Sequence, residues 1–221
     1  SYIQGQLLPK TSSLLFDLAH KKTHIMHEDW DNAIILDGCR CDMFEKECNI
    51  SGELEYRYSL GSNTQEYLMK NLRGKECSDT VYVTASPQHR VYRLTDVFYD
   101  VIDVWEDSWD EDKNTVMPSA MYKATSQAAE EYPNKRILSH FMQPHYPFVG
   151  ECSNIIGEHS GYEAAYREVK DGEGTRDSPT VWDKLRRRKV KKDAVWKAYR
   201  GNLNFVLEYV EDLIDELGER P

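Results

Sequence analysis

A short apolar run ends in a carboxylate and a glycine in the segment Asn32-Ala33-Ile34-Ile35-Leu36-Asp37-Gly38-Cys39-Arg40-Cys41-Asp42. Such a run is typical of a buried parallel strand, and the acidic residue followed by glycine indicates that the strand ends in a turn. In open α/β sheets, ligands bind in the crevice beyond the carboxyl ends of the strands, so Asp37 is expected to face a binding site. The alternative is that Asp37 only caps a helix that starts near Cys41.

Length and charge indicate one α/β domain with a well-hydrated surface. The chain has 221 residues, which is enough to bury a substantial core. Its formal net charge of -10 argues against a nucleic-acid-binding surface spread over the whole protein. No run approaches the ~20 apolar residues of a membrane helix, and the N-terminal residues contain no basic region followed by an apolar one. We therefore predict neither a membrane segment nor a secretory signal.

The five cysteines are an odd number, and Cys39, Cys41 and Cys48 lie close together along the chain. A disulfide scaffold is unusual at this length, so these residues are typical of a protein from the reducing cytoplasm. Together with Cys77 they could be considered as a zinc site. Their spacing, however, matches no common pattern of zinc ligands, so we do not predict one.

A second candidate segment is Leu60-Gly61-Ser62-Asn63-Thr64. It follows residues 54–59, whose alternation predicts a second strand, and it precedes a helix predicted over residues 65–72. Ser62 or Thr64 is expected at the start of this helix, where unpaired N–H groups and the positive end of the dipole favour anions and developing oxyanions. Both residues are also ordinary N-caps, so Thr64 is either a nucleophile or only a cap.

The third candidate segment, Met142-Gln143-Pro144-His145-Tyr146-Pro147-Phe148, directly follows a strand predicted over residues 136–141. The two prolines fix φ and are expected to hold the loop extended, so that His145 is presented rigidly beyond the strand end. A histidine in this position can bind an anion, transfer a proton or ligate a metal. The alternative is a loop histidine that is merely packed between prolines. For His140, inside the strand, we predict a structural role.

The intervening segments predict alternating strands and helices, and hence a mostly parallel sheet with helices on both faces. Further strands are predicted over residues 79–85 and 97–105, an acidic loop over 106–112, helices around 14–18 and over 118–131, and a long helix over 194–217 that ends at Gly218. Asp37, Thr64 and His145 each follow a predicted strand. All three are therefore expected at one edge of the sheet.

Residues 150–192 are predicted to form a lid or insertion within the single domain, which spans residues 1–221, with one short helix over residues 162–169. The last part of this segment is strongly basic and contains Lys184, Arg186, Arg187, Arg188, Lys189, Lys191 and Lys192. In an acidic protein such a cluster either meets an anionic partner or substrate, or forms a solvated helix face.

In this order, the three segments resemble the alkaline-phosphatase superfamily and, within it, the sulfatase-like hydrolases of archaeal type. The first segment is similar to the family's first metal-binding strand, residues 59–68 are similar to its nucleophile segment, and residues 140–148 are similar to the segment whose histidine contacts the transferred group. The similarity extends from about residue 28 to the end of the chain.

The resemblance implies a sulfatase-like α/β fold and a metal-dependent hydrolase of sulfate or phosphate (phosphonate) esters. Asp37 would ligate a divalent ion (Ca, Mn, Zn or Mg), Thr64 would be the nucleophile and a further ligand, and His145 would bind the oxyanion or protonate the leaving group. Sulfatases have a cysteine that becomes formylglycine where this chain has Thr64, so phosphoester chemistry is at least as well supported as sulfate release. The expected partner is a small anionic ester, with no nucleic acid and no membrane.

Two departures from the family pattern bear on activity. Gly38 stands where many members have a second carboxylate. Members also continue after the long helix with a strand and an Asp-His-Gly segment that completes the metal site, and no Asp-His-Gly occurs here. The comparison thus predicts a chain that is cut short, with part of an active site. The alternative function is a non-catalytic relative that binds an anionic ligand or a protein partner, with Trp105, Trp109, Trp182 and Trp196 as candidate anchors.

Overall fold

The centre of the fold is a four-stranded parallel sheet with the spatial order β2-β8-β4-β5. Its strands are β2 (Asn32–Leu36), β8 (Arg136–Phe141), β4 (Cys77–Thr84) and β5 (Phe98–Asp103). The computed structural model describes residues 22–150, 153–174 and 178–218 of the chain. The α/β class predicted from the alternation of elements is confirmed, whereas the helix predicted around residues 14–18 lies outside the described residues.

Helices cover both faces of this sheet. They are α1 (Cys41–Glu47), α2 (Thr64–Leu72), α3 (Gln88–Val91), α4 (Val104–Ser108), α5 (Pro118–Glu131), α6 (Glu163–Asp171), α7 (Val181–Arg186) and α8 (Lys192–Gly218). The predicted bounds of α5 are confirmed, because Pro118 fits the first turn of a helix and Pro133 cannot extend it. Within the described ranges, no helix is both long enough and apolar enough to span a membrane.

The side chains of β4 alternate between two apolar cores on the two faces of the sheet. Val81 and Val83 belong to the larger core, which α1, α5 and α8 complete, while Tyr82 belongs to the smaller core together with α2. The long helix α8 buries the predicted stripe of Val195, Tyr199, Leu203, Val206, Val210, Leu213 and Leu217. Each large aliphatic side chain buried in this way stabilises the fold by roughly 1.5–3 kcal/mol.

The strand predicted over residues 54–59 is wrong in two respects. Only β3 (Tyr58–Ser59) is extended and paired, and it pairs with β1 (Lys22–Thr23) in a separate two-stranded sheet. The physical reason is exposure: Leu54 is 46% and Tyr56 57% exposed. An alternating pattern specifies a strand only when one of its faces is buried, and neither face is buried here.

The acidic loop predicted over residues 106–112 is also wrong. The segment begins inside α4 and continues into β6 (Trp109–Asp110), which pairs with β7 (Thr115–Val116). Tryptophans hold it in place, since Trp105 is only 3% exposed and Trp109 stacks on Tyr166 with ring centroids 4.2 Å apart. Large aromatic side chains bury enough apolar area to fold an otherwise charged segment onto the core.

Candidate active site

Asp37 follows β2 directly, at the carboxyl end of the parallel sheet. Its backbone N–H donates to the carbonyl oxygen of Phe141 at 3.1 Å, and its own carbonyl oxygen accepts from the N–H of His145 at 2.9 Å. These two bonds extend the pairing of β2 and β8 beyond the strands, and so fix Asp37 beside the loop that carries His145. The alternative that Asp37 only caps α1 is wrong, because the N-cap of that helix is Arg40 and no side chain caps it.

Thr64 is the first residue of α2, and its hydroxyl donates to Oδ2 of Asp37 at 2.7 Å. The cap of this helix is Asn63, whose side chain accepts from the N–H of Glu66 at 2.9 Å. The prediction that Ser62 or Thr64 lies at the start of this helix is confirmed for Thr64, whereas the alternative that Thr64 is only a cap is wrong. Because Asn63 fills that role, the hydroxyl of Thr64 is available to the carboxylate.

Tyr162 is a site residue that the sequence did not reveal. Its hydroxyl donates to the same Oδ2 of Asp37 and lies 3.0 Å from Oγ1 of Thr64. The one signal in the sequence was Gly161, since a Cβ at that position would lie 2.4 Å from the carbonyl oxygen of Tyr146. Only glycine lets this part of the predicted lid pack so closely on the His145 loop and deliver the phenol to Asp37.

His140 lies deeper, on β8, and is 1% exposed. Its Nδ1 is 2.7 Å from the hydroxyl of Tyr82, and its Nε2 is 3.7 Å from Oδ2 of Asp37. The ring is thus held from behind by a tyrosine and faces the carboxylate. We predicted a structural role for this histidine, and in the structure it also lines the same cavity as Asp37 and Thr64.

His145 is half-buried, and its ring lies against that of Tyr162 at a centroid distance of 4.8 Å. Its loop turns rather than running extended as predicted, and the peptide bonds before Pro144 and Pro147 are cis. The fully buried side chain of Asn202, on α8, fixes this loop. It donates to the carbonyl oxygens of Pro144 and His145 at 3.2 and 3.1 Å.

Gly38 explains why no second carboxylate follows Asp37. Its φ is +66°, a conformation that side chains rarely adopt, and a Cβ there would lie 3.3 Å from Cδ2 of His145. A side chain at this position would strain the turn and displace the imidazole. The close approach of His145 to the backbone of Gly38 therefore requires glycine.

Burial and charge act in opposite directions on the two ionisable groups of the site. Burial by itself raises the pKa of Asp37, but the imidazoles of His140 and His145 and the hydroxyl of Thr64 together hold that pKa below 3.8. Burial lowers the pKa of His145 below 6.5, although the carboxylate of Asp37 partly opposes the shift. At neutral pH the carboxylate of Asp37 is therefore ionised and the imidazole of His145 is neutral.

These shifts predict a loss of stability in weak acid. The pKa of His145 is lower in the folded protein than in the unfolded chain, so the unfolded chain binds the proton more tightly. The contribution of His145 to the free energy of unfolding is therefore fully present above pH 6.5 and declines as the pH falls below that value. Asp37 adds its own loss only below pH 3.8.

We expect the Tm to fall between pH 6.5 and 5, and to fall less steeply in His145→Gln. The slope of Tm against pH should be unchanged in His27→Gln, which alters an exposed histidine. Equal slopes in all three proteins would contradict this prediction.

Asp37, Thr64 and His140 line a cavity of about 320 Å³, together with Ser59, Gly61, Ser62 and Asn63. Asp37 and Thr64 present two oxygen donors 2.7 Å apart, a set that suits Mg or Ca, which complete their coordination with water or substrate oxygens. Among the described residues, no group of three or more His, Cys, Asp or Glu side chains could hold a metal ion. A divalent ion bound here would therefore take most of its ligands from elsewhere.

Chemically, the arrangement couples a hydroxyl to an ionised carboxylate, with an imidazole packed nearby. The carboxylate can take the proton of the hydroxyl and so activate the hydroxyl as a nucleophile. A phenol on the same carboxylate oxygen holds that oxygen in a fixed orientation.

Comparison of the chain with models of known protein families, with curated proteins and with solved structures finds no match.

Proposed function

We propose that the protein hydrolyses phosphate or sulfate esters and that the hydroxyl of Thr64 is the nucleophile. The observation that carries the proposal is the 2.7 Å hydrogen bond from Thr64 to the ionised carboxylate of Asp37, in a cavity at the carboxyl end of the sheet. A hydroxyl is a weak nucleophile until a base removes its proton, and Asp37 is the base in contact with it. The resemblance of the three segments to the sulfatase-like hydrolases supports Thr64 as the nucleophile, whereas the role that it implies for Asp37 is that of a metal ligand.

The proposed reaction has two steps. In the first, Oγ1 of Thr64 bonds to the phosphorus or sulfur atom, its proton passes to Asp37, and the leaving oxygen departs with a proton from His145. In the second, water attacks the Thr64 ester, His145 takes the proton of the water, and Asp37 returns its proton to Oγ1. The neutral His145 gains its first proton with the substrate, because an anion beside the imidazole raises its pKa. Tyr162 keeps the carboxylate oriented throughout.

We further propose a divalent ion as cofactor, held in part by Asp37 and Thr64. When bound, such an ion lowers the pKa of a hydroxyl and offsets the negative charge of the transferred group. Asp37 and Thr64 are the residues of this chain to which the resemblance assigns the ion.

The test is hydrolysis of 4-nitrophenyl phosphate, 4-nitrophenyl sulfate and a phenylphosphonate ester after treatment with EDTA, with Mg, Mn, Ca or Zn added back singly. We expect turnover of at least one ester, and a loss of about 10²- to 10⁴-fold in Asp37→Asn, the range for removal of a general base. The matched control is Asp79→Asn, which alters an exposed carboxylate near the amino end of the sheet. Metal should raise the Tm of the wild type but not that of Asp37→Asn.

A second candidate, a non-catalytic protein that binds an anion or a partner at this edge, is favoured by one observation. Tyr162 already donates to Asp37 and lies against Thr64, so each hydroxyl of the site has a partner within the protein. The same panel separates the two functions. A protein that hydrolyses no ester with any metal, yet binds orthophosphate or sulfate in a calorimeter, would support the binding function and contradict the hydrolase.

A further inference from the structure

Six cationic residues in seven positions form an exposed basic run between α7 and α8. We define the basic run as Arg186, Arg187, Arg188, Lys189, Lys191 and Lys192, all of them exposed. In the described part of the chain, the single ion pair of this run joins Arg186 to Asp183 at 3.3 Å. The rest of its charge faces solvent, in a protein whose net charge is -10.

The N-terminal end of the basic run is attached to the His145 loop. Trp182, four residues before the run, lies edge-on to Tyr146 with ring centroids 6.3 Å apart, and Tyr146 stacks on His145 at 4.1 Å. Thr180 bridges to Ser160, two residues before the site residue Tyr162. Trp182 is 53% exposed, so this end of the attachment is open to solvent.

The C-terminal end of the basic run is attached to the other side of the site. The hydroxyl of Tyr199, on α8, donates to the carbonyl oxygen of Gly38 at 3.0 Å and accepts from the N–H of Arg40 at 2.8 Å. Trp196 packs under the guanidinium of Arg40, 5.2 Å from the ring centroid. Trp182 and Trp196 each lie four residues from an end of the run, which is about one helical turn, or ~6 Å along a helix.

We propose that the basic run binds the additional negative groups of a polyanionic substrate, one that carries several phosphate or sulfate groups, while one of these groups enters the Asp37–Thr64 cavity. The proposal rests on the proposed function for the identity of that cavity. Both ends of the run are joined, about one helical turn away, to side chains that contact Arg40 or the His145 loop, and both of these adjoin Asp37. A cluster of cations next to a site raises the local concentration of anions that the rest of an acidic protein repels. Arg and Lys are also the side chains that bind phosphate groups directly.

The experiment compares the binding of sodium tripolyphosphate and of orthophosphate by isothermal titration calorimetry, at low and at physiological salt. The test variant is Arg187→Gln/Lys189→Gln/Lys191→Gln. The matched control is Lys46→Gln/Arg73→Gln/Lys123→Gln, which removes the same charge from exposed positions on other elements. We expect the wild type to bind tripolyphosphate more tightly than orthophosphate. The affinity for tripolyphosphate should fall at least about tenfold in the test variant and less than about twofold in the control.

Equal losses in the two variants, or equal affinity of the wild type for the two anions, would overturn the proposal. Tighter binding of an oligothymidylate than of tripolyphosphate would also overturn it, because the run would then be a nucleic-acid surface. Ester hydrolysis is not measured in this experiment. A protein that passes it but hydrolyses no ester would contradict the proposed reaction and leave the binding site in place.

Discussion

Thr64→Ala should reduce kcat/KM of the proposed ester hydrolysis by about 10³-fold or more, because the variant has no atom that can bond to the transferred group. Thr64→Ser keeps the hydroxyl and should retain activity to within about tenfold. The matched control is Ser119→Ala, which removes an exposed hydroxyl from the first turn of α5. Ser119 is not among the residues that line the cavity, so its loss should change kcat/KM less than about twofold.

The stability of Thr64→Ala decides how a loss of activity is interpreted. Asp37 keeps its hydrogen bond from Tyr162 in this variant. The free energy of unfolding should therefore fall by about 1.5–3 kcal/mol, the usual contribution of one hydrogen bond to a charged group. Urea unfolding of the two proteins measures this difference. Wild-type activity in a folded Thr64→Ala protein would show that another group is the nucleophile.

Asn202→Ala should lower the free energy of unfolding by about 3 kcal/mol or more. The side chain is fully buried and uses its whole hydrogen-bonding capacity. Besides its two bonds to the His145 loop, its Oδ1 accepts from the N–H groups of Val149 and Gly150 at 2.9 and 3.2 Å. Truncation leaves four backbone groups of buried or half-buried residues without these partners, and each buried group of this kind costs about 1–3 kcal/mol unless water or local rearrangement compensates.

The matched control for this prediction is two residues away on the same helix. Asn204 is exposed and makes one hydrogen bond, to Glu47 at 3.1 Å, so Asn204→Ala should change stability by less than about 0.5 kcal/mol. Urea unfolding compares the two variants directly. At 2–4 °C per kcal/mol for a domain of this size, Asn202→Ala should also lower Tm by about 6 °C or more. Equal effects of the two variants would show that the loop is held by other contacts.

The parts of the fold that the sequence predicted well are those specified by local signals. The apolar run at β2, the run at β8 and the proline-bounded helix α5 were predicted within a residue of their bounds. The burial expected of β2 is wrong, because this strand lies at the edge of the sheet and its apolar residues are only half-buried. The segment at residues 54–59 failed because its pattern is indistinguishable from that of a half-buried strand, and only tertiary structure decides whether one of its faces is covered.

The proximity of Asp37 and Thr64 was expected for a reason that the structure corrects. We argued that both follow strands of one sheet, but the strand before Thr64 lies outside the main sheet. Helix α2 reaches the site because Leu68 and Leu72 pack into the core that contains Tyr82. Hydrophobic packing of a helix, rather than strand register, therefore brings the hydroxyl to the carboxylate.

The two residues that sequence reasoning missed, Tyr162 and Asn202, form hydrogen bonds with residues that are far away along the chain. Tyr162 is 125 positions from Asp37, and Asn202 is 57 positions from His145. Apart from Gly161 beside the tyrosine, a tyrosine at the start of a helix and an asparagine in a helix carry no local sign of such partners. Sequence patterns report periodicity and capping, whereas these contacts depend on how separate elements pack together.

The shared oxygen atom of Asp37 joins three parts of the polypeptide that are far apart in order of synthesis. The early strand contributes the acceptor, α2 contributes one donor, and the residue at the start of α6 contributes the other. The hydrogen-bonded cluster around Asp37 is thus complete only after the ribosome has delivered the third of these segments. A single proteolytic cut between β8 and Tyr162 would leave the four strands of the main sheet on one fragment. It would nevertheless loosen one of the two donors to Asp37.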